Sequence, residues 1–154
     1  MFSSSFSLSR ADWLVNVEDN SHILLGLNWD SPTLVVQDVP KAIQFYEKVF
    51  GFLPVFILPD ENNDVTFARM RYRGTHFTLT REPEATHHLP SLCTFETNAS
   101  TPFYLYVDHV DKVYAKAIDN GCYSIESPRI DFLGDHKARL TDIFGYIWDI
   151  AAKI

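Results

Sequence analysis

The hydrophobic period of this chain changes in the same order twice. Thr33-Leu-Val-Val36 is a short apolar run that reads as a strand. After Asp38 the apolar positions Ala42, Ile43, Tyr46, Val49 and Phe50 recur at helical spacing until Gly51. Asp38 suits an N-cap because its carboxylate can accept an orphan N–H of the first turn, and Gly51 suits a stop because it tolerates a left-handed backbone. Strand-like runs then cover Phe52 to Leu58, Val65 to Arg73 and Thr75 to Thr80, with Pro59-Asp-Glu-Asn-Asn-Asp64 as a turn. The order is βαβββ.

A linker rich in Pro, Ser and Thr, residues 83–101, carries His87-His88, and beyond it the programme restarts. Phe103 to Val107 reads as a strand. Asp108 is expected to cap a helix carrying Val113, Tyr114, Ala117 and Ile118, which Gly121 closes. Tyr123 to Glu126, Lys137 to Thr141 and Tyr146 to Ala151 supply three more strands, the last two forming a hairpin around the turn Asp142-Ile-Phe-Gly145. A shift of 71 (105 − 34) lays Leu105 on Leu34, Val107 on Val36, Val110 on Val39 and Lys112 on Lys41; it also lays Gly145 on Gly74, Trp148 on Phe77 and Ile150 on Leu79. One offset serving both ends of the unit argues for two copies of one module. The expected organisation is an extension over residues 1–30, a first module over 31–82, the linker, and a second module over 102–154, the modules forming a single domain.

Strand alternation divides the candidate residues between faces. Trp148 and Ile150 share one side of the last strand, Ile147, Asp149 and Ala151 the other. A carboxylate between tightly apolar neighbours is either held by a nearby Arg, for which Arg139 is the candidate, or turned toward a ligand. Arg69, Arg71 and Arg73 recur at every second residue and read as a solvated strand edge.

Composition narrows the function classes. With 46% hydrophobic residues, 12 Phe, 7 Tyr and 3 Trp, the chain can bury a core and keep aromatic residues for a pocket. A net charge of −7 disfavours nucleic acid and anionic membranes and makes cationic or neutral ligands the easier partners. Cys93 and Cys122 show no metal or disulfide spacing, which fits a reducing, cytoplasmic setting; no export signal and no membrane span are read. Ser-His-Asp, Cys-His, HExxH and phosphate-loop patterns are not visible, so nucleophilic catalysis has no candidate.

The paired βαβββ units, the run Thr33-Leu-Val-Val-Gln-Asp-Val-Pro-Lys-Ala-Ile-Gln-Phe-Tyr-Glu-Lys-Val-Phe-Gly-Phe52 and the ending Asp142-Ile-Phe-Gly-Tyr-Ile-Trp-Asp149 resemble the vicinal oxygen chelate superfamily of glyoxalases, extradiol dioxygenases and fosfomycin and bleomycin resistance proteins. The resemblance implies an α+β fold: two modules forming a cup-shaped, partly open eight-stranded barrel of mainly antiparallel strands, with helices outside and the ligand within. It implies metal positions at Ser31, Thr78, Pro102 and Asp149, where Pro102 offers no side-chain donor and two hydroxyls donate weakly, so a divalent metal is disfavoured and no cofactor is expected. It places Thr33, Val35, His76, Thr78, Thr80, Tyr104, Tyr106, Ile147 and Asp149 on the cup side.

The reading preferred on these residues is a small-molecule-binding homodimer of the bleomycin resistance type, with Thr33, His76, Thr78, Tyr104, Tyr106, Arg139 and Asp149 as ligand contacts. Beside it stand a metal-dependent lyase or dioxygenase drawing ligands from Asp149, His76 and His136, the last placed in a loop from Ser127, and a structural dimer without ligand.

Overall fold

The computed structural model describes residues 32–82 and 101–154. The expectations for the 1–30 extension, Ser31, Cys93 and the His87-His88 linker lie outside the described residues. The first module runs β1 (Thr33–Val36), α1 (Val39–Phe50), β2 (Leu53–Pro59), β3 (Val65–Tyr72), β4 (Thr75–Arg81). The second runs β5 (Phe103–Tyr106), α2 (Val110–Asp119), β6 (Tyr123–Ile130), β7 (His136–Thr141), β8 (Ile147–Ala152). Each module forms its own four-stranded sheet, in the orders β1-β4-β3-β2 and β5-β8-β7-β6, so the eight strands make two open sheets and not a closed barrel. In each sheet the strand before the helix pairs in parallel with the last strand, and the other pairings are antiparallel.

The offset of 71 governs the parallel ladders. Thr33 lies opposite Thr78 and Leu34 opposite Leu79; 71 residues later, Tyr104 lies opposite Asp149 and Leu105 opposite Ile150. One departure cancels itself. A register shift between Leu58 and Pro59 leaves Thr66 as an additional residue in β3, and the Asp142 loop is longer by one than the Arg73-Gly74 turn, so β3 matches β7 at 70.

Three of the four hairpins share one device. Asp60, Asp131 and Asp142 each open a loop, accept with Oδ1 the N–H groups two and four residues on, and close it with a left-handed residue, Asn63, Gly134 or Gly145. A short acceptor that folds back on its own backbone favours this turn.

The cap of α1 is as expected: the Asp38 carboxylate accepts the Lys41 N–H at 3.0 Å, and Gly51 takes φ 81°. The cap of α2 differs. His109 occupies it without a side-chain bond, while Asp108 pairs with Arg73 at 2.6 Å and so joins the two modules. Each helix packs on its own sheet, and the helices touch one another. The helix-covered faces share an aromatic core in which Trp148 meets Phe50 at 5.0 Å and Phe52 and Phe77 at 5.9 Å. The opposite faces carry no helix among the described residues, and the candidate residues lie there.

Candidate functional site

The free face of the second sheet is built from alternate positions of β5, β7 and β8. Asp149 is 2% exposed, and both its oxygens accept from Arg139, Nε at 2.6 Å and Nη2 at 2.8 Å. Such a fork-on-carboxylate pair is among the stronger polar contacts, and it holds the Arg139 guanidinium above its ordinary pKa. Lys137 Nζ stands 3.6 Å from Asp149 and 3.9 Å from Asp131.

Tyr104 and Tyr106, spaced by two on β5, form a wall 42% and 43% exposed, their ring centroids 5.3 Å apart. Both hydroxyls donate to Asp135 Oδ2, at 3.2 and 2.8 Å, and Lys153 donates to its other oxygen at 2.8 Å. The bonds from Lys153 and Tyr106 hold the Asp135 carboxyl below its usual range, while desolvation and the Asp135 bond push the Tyr104 hydroxyl far up, so it stays a donor. Ammonium groups lie over both rings, Lys137 at 5.8 Å from Tyr104 and Lys153 at 5.5 Å from Tyr106.

On the free face of the first sheet the Thr33 and Thr78 hydroxyls share a 2.8 Å hydrogen bond, and buried His76 lies opposite Arg71. Thus Thr33, His76 and Thr78 gather on one sheet and Tyr104, Tyr106, Arg139 and Asp149 on the other, each group on its helix-free face.

Three expectations change. His136 opens β7 instead of ending a loop, because β6 extends to Ile130. It shares the face of Ala138 and Leu140, opposite to Arg139, and its Nε2 stands 3.7 Å from Asp111 on α2's first turn. Alternation therefore puts it on the face opposite to Asp149, the other side of the sheet from that candidate ligand. Arg69 and Arg71 do not lie on an edge either, since β3 is paired on both sides; Arg71 is exposed and Arg69 half-buried.

Asp142, read only as a turn residue, is the polar centre of the core. Its Oδ2 accepts from the Tyr46 hydroxyl at 2.6 Å and Trp148 Nε1 at 2.8 Å. Burial drives its pKa up to about 6 against these donors. The Tyr146 hydroxyl closes the edge of β1, accepting the Val35 N–H at 2.7 Å and donating to the Val35 carbonyl at 2.9 Å. The sequence signal for both was Asp-x-x-Gly-Tyr-x-Trp. Cys122 is buried, which pushes its thiol up to about 12 and leaves it a poor nucleophile.

Among the described residues no group of three or more His, Cys, Asp or Glu is placed to hold a metal ion. Two clefts, of about 260 Å³ beside Asp38 and Arg81 and about 380 Å³ beside His109 and Lys153, contain none of the seven ligand contacts expected from sequence. No helix among the described residues is long and apolar enough to cross a membrane.

Two βαβββ modules with helix-free sheet faces define the architecture of the glyoxalase class. The family model of the Glyoxalase/Bleomycin resistance protein/Dioxygenase superfamily matches residues 22–150, and the chain belongs to that family. An uncharacterized protein of Mycobacterium bovis is 27% identical over 131 residues, covering 80% of this chain and 82% of its own. A glyoxalase/bleomycin resistance protein/dioxygenase family enzyme from Burkholderia phytofirmans superposes with a TM-score of 0.59 at 18% identity, covering 83% of this chain and all of its own. The fosfomycin resistance protein FosX from Listeria monocytogenes gives 0.58 at 12% identity, covering 82% and 92%. These likenesses of structure concern the fold.

Proposed function

We propose that the chain binds a small organic molecule on its helix-free faces without a metal, and that it works as a homodimer. The observation that carries this is the state of Asp149: at the position where the family resemblance puts a metal ligand, both oxygens are held by Arg139. Its counterpart in the other module is Thr78, a neutral hydroxyl bonded to Thr33. A divalent ion would have to displace a guanidinium and then accept hydroxyls in place of imidazoles and carboxylates, so the donor set does not fit it.

Binding is supported by the Tyr104–Tyr106 wall, whose rings are fixed through Asp135 and face outward. Rings held before the ligand arrives offer stacking area at little ordering cost. Dimerisation is supported by apolar exposure. The edge strand β2 leaves Leu53, Ile57 and Leu58 44–58% exposed, and the tip of the 131–135 loop leaves Phe132 91% exposed. Unpaired apolar edges of this kind are surfaces that a second copy covers.

A thermal-shift screen of planar aromatic compounds and glycopeptide antibiotics tests the binding role. A stabilising hit weakened in Tyr104→Ala supports it, and silence across the screen refutes it. Titration with nickel, zinc and iron(II) tests the metal: stoichiometric tight uptake lost in Asp149→Ala would refute the metal-free reading. Light scattering tests the dimer, and a monomer at tens of micromolar would refute it.

A further inference from the structure

The two modules act as controls for one another, and they disagree at one pair. Arg139 on β7 lies opposite Asp149 on β8 and spends its guanidinium on that carboxylate. The matching residues of the first sheet are Arg69 on β3 and Thr78 on β4, also directly opposite one another. The arginine is kept and its carboxylate is replaced by a hydroxyl. Arg69 Nε is buried and has no hydrogen-bond partner among the described residues.

Its neighbours sharpen the contrast. Of the six described arginines, Arg73, Arg81, Arg129 and Arg139 each lie within 4.0 Å of a carboxylate among the described residues, and Arg69 and Arg71 do not. Both point to the helix-free face, since each lies opposite a residue of that face, Thr78 or His76. Arg71 turns its Nε to the Arg73 carbonyl at 2.9 Å, leaving its terminal nitrogens without a carboxylate. Beside them the Arg69 guanidinium stands 5.8 Å from the Phe67 ring, which meets Phe56 edge to face at 6.2 Å.

A buried N–H without an acceptor is costly, and Arg69 Nε is one on a half-buried side chain. From its place beside hydroxyls and phenyl rings, we infer that Arg69, supported by Arg71, is the anion-recognising residue of the first sheet, and that its ligand carries a carboxylate or phosph(on)ate on a planar apolar body. The guanidinium fork takes the anion's oxygens, the Thr78 hydroxyl donates alongside, and Phe67 and Phe56 carry the body. This rests on the proposal that the helix-free faces bind a small molecule, and it reverses the ligand charge that the net −7 suggests. Net charge describes the whole surface, whereas recognition follows the field at the site.

The test uses isothermal titration of the full chain with phenylphosphonate, benzoate, benzamide and benzamidine. The anions are expected to bind at least about ten-fold more tightly than the amide or the amidinium, and Arg69→Gln to lose that preference. Arg73→Gln, which removes a charge already paired at the rim, should change anion affinity less than about two-fold. Apart from the Phe67 ring, the Arg69 guanidinium has no partner among the described residues, so the melting temperature of Arg69→Gln should stay near that of the parent. Tighter binding of benzamidine, unchanged anion binding in Arg69→Gln, or a melting temperature several degrees lower would overturn the anion site while leaving small-molecule binding intact. No binding of any of the four probes would overturn both.

Discussion

Asp142 sets two effects against each other whose balance can be measured. Four donors favour its ionised form: the N–H groups of Phe144 and Tyr146 on Oδ1, and the Tyr46 hydroxyl and Trp148 Nε1 on Oδ2. Burial disfavours it, and burial prevails, raising the pKa from 3.8 to about 6. The sign follows from proton counting. Between about pH 4 and pH 6 the folded chain keeps a proton that the unfolded chain has released, so this group's contribution to stability falls as pH rises through that window. Below it both states hold the proton, and above it both are ionised and the full cost is present. At ~1.36 kcal/mol for each pH unit the cost amounts to about 3 kcal/mol. Asp142→Asn removes the titration while keeping the shape. Urea unfolding followed by far-ultraviolet circular dichroism, at half-unit steps from pH 4 to pH 7, gives the stability gap between parent and variant, in which all other titrations cancel. Because the unfolded carboxyl is already more than half ionised at pH 4, that gap should be largest there and shrink by about 2.5 kcal/mol by pH 7. A gap that stays flat or widens toward neutrality would mean that the four donors outweigh burial, and the reasoning would be wrong.

Other expectations follow from single contacts. Tyr146→Phe leaves the Val35 N–H and carbonyl unsatisfied at the buried edge of β1; chemical denaturation should show a loss of about 1–3 kcal/mol. Arg139→Ala leaves the Asp149 carboxylate, 2% exposed, with only Lys137 Nζ at 3.6 Å among the described residues to offset it, with an expected cost of about 1–3 kcal/mol; Arg139→Ala combined with Asp149→Ala should cost less than Arg139→Ala alone in the same assay. Gly51→Ala places a side chain at φ 81° with ordinary contact to Tyr72, so strain alone should cost about 1–2 kcal/mol. Leu58→Asp or Phe132→Asp, at exposed positions, should leave the melting temperature near that of the parent while shifting the proposed dimer toward monomer in sedimentation.

What was legible in the sequence was whatever repeats. The offset of 71 locates β1, β4, β5 and β8 and puts Tyr104 opposite Asp149, because parallel ladders in two copies of one module must keep one register. Alternation then sorts faces correctly, and the pairing of Arg139 with Asp149 follows from neighbouring strands. Contacts between modules were not legible. Tyr46 reaches Asp142 across 96 positions, and Tyr146 reaches Val35 across 111; no local period encodes either. His136 was misplaced for a local reason. Ser127-Pro-Arg reads as turn chemistry, yet β6 runs through it with a register shift between Glu126 and Arg129, and a proline at an irregularity on an edge strand breaks no ladder.

The repeat carries information about function at its failures of symmetry. Where both copies keep an apolar pair, as Phe77 and Trp148 do, the shared core explains it. Where one copy keeps an arginine and loses the acid that would hold it, the fold offers no reason, because the other copy shows that the acid can be accommodated at 2% exposure. The same logic applies to the loops anchored by Asp60 and Asp131. They have one hydrogen-bond pattern, yet one tip is Glu61-Asn62 and the other Phe132-Leu133. Since the polar tip builds the turn equally well, the turn itself does not require the exposed phenylalanine and leucine, just as the sheet does not require Arg69, whose Nε has no hydrogen-bond partner among the described residues.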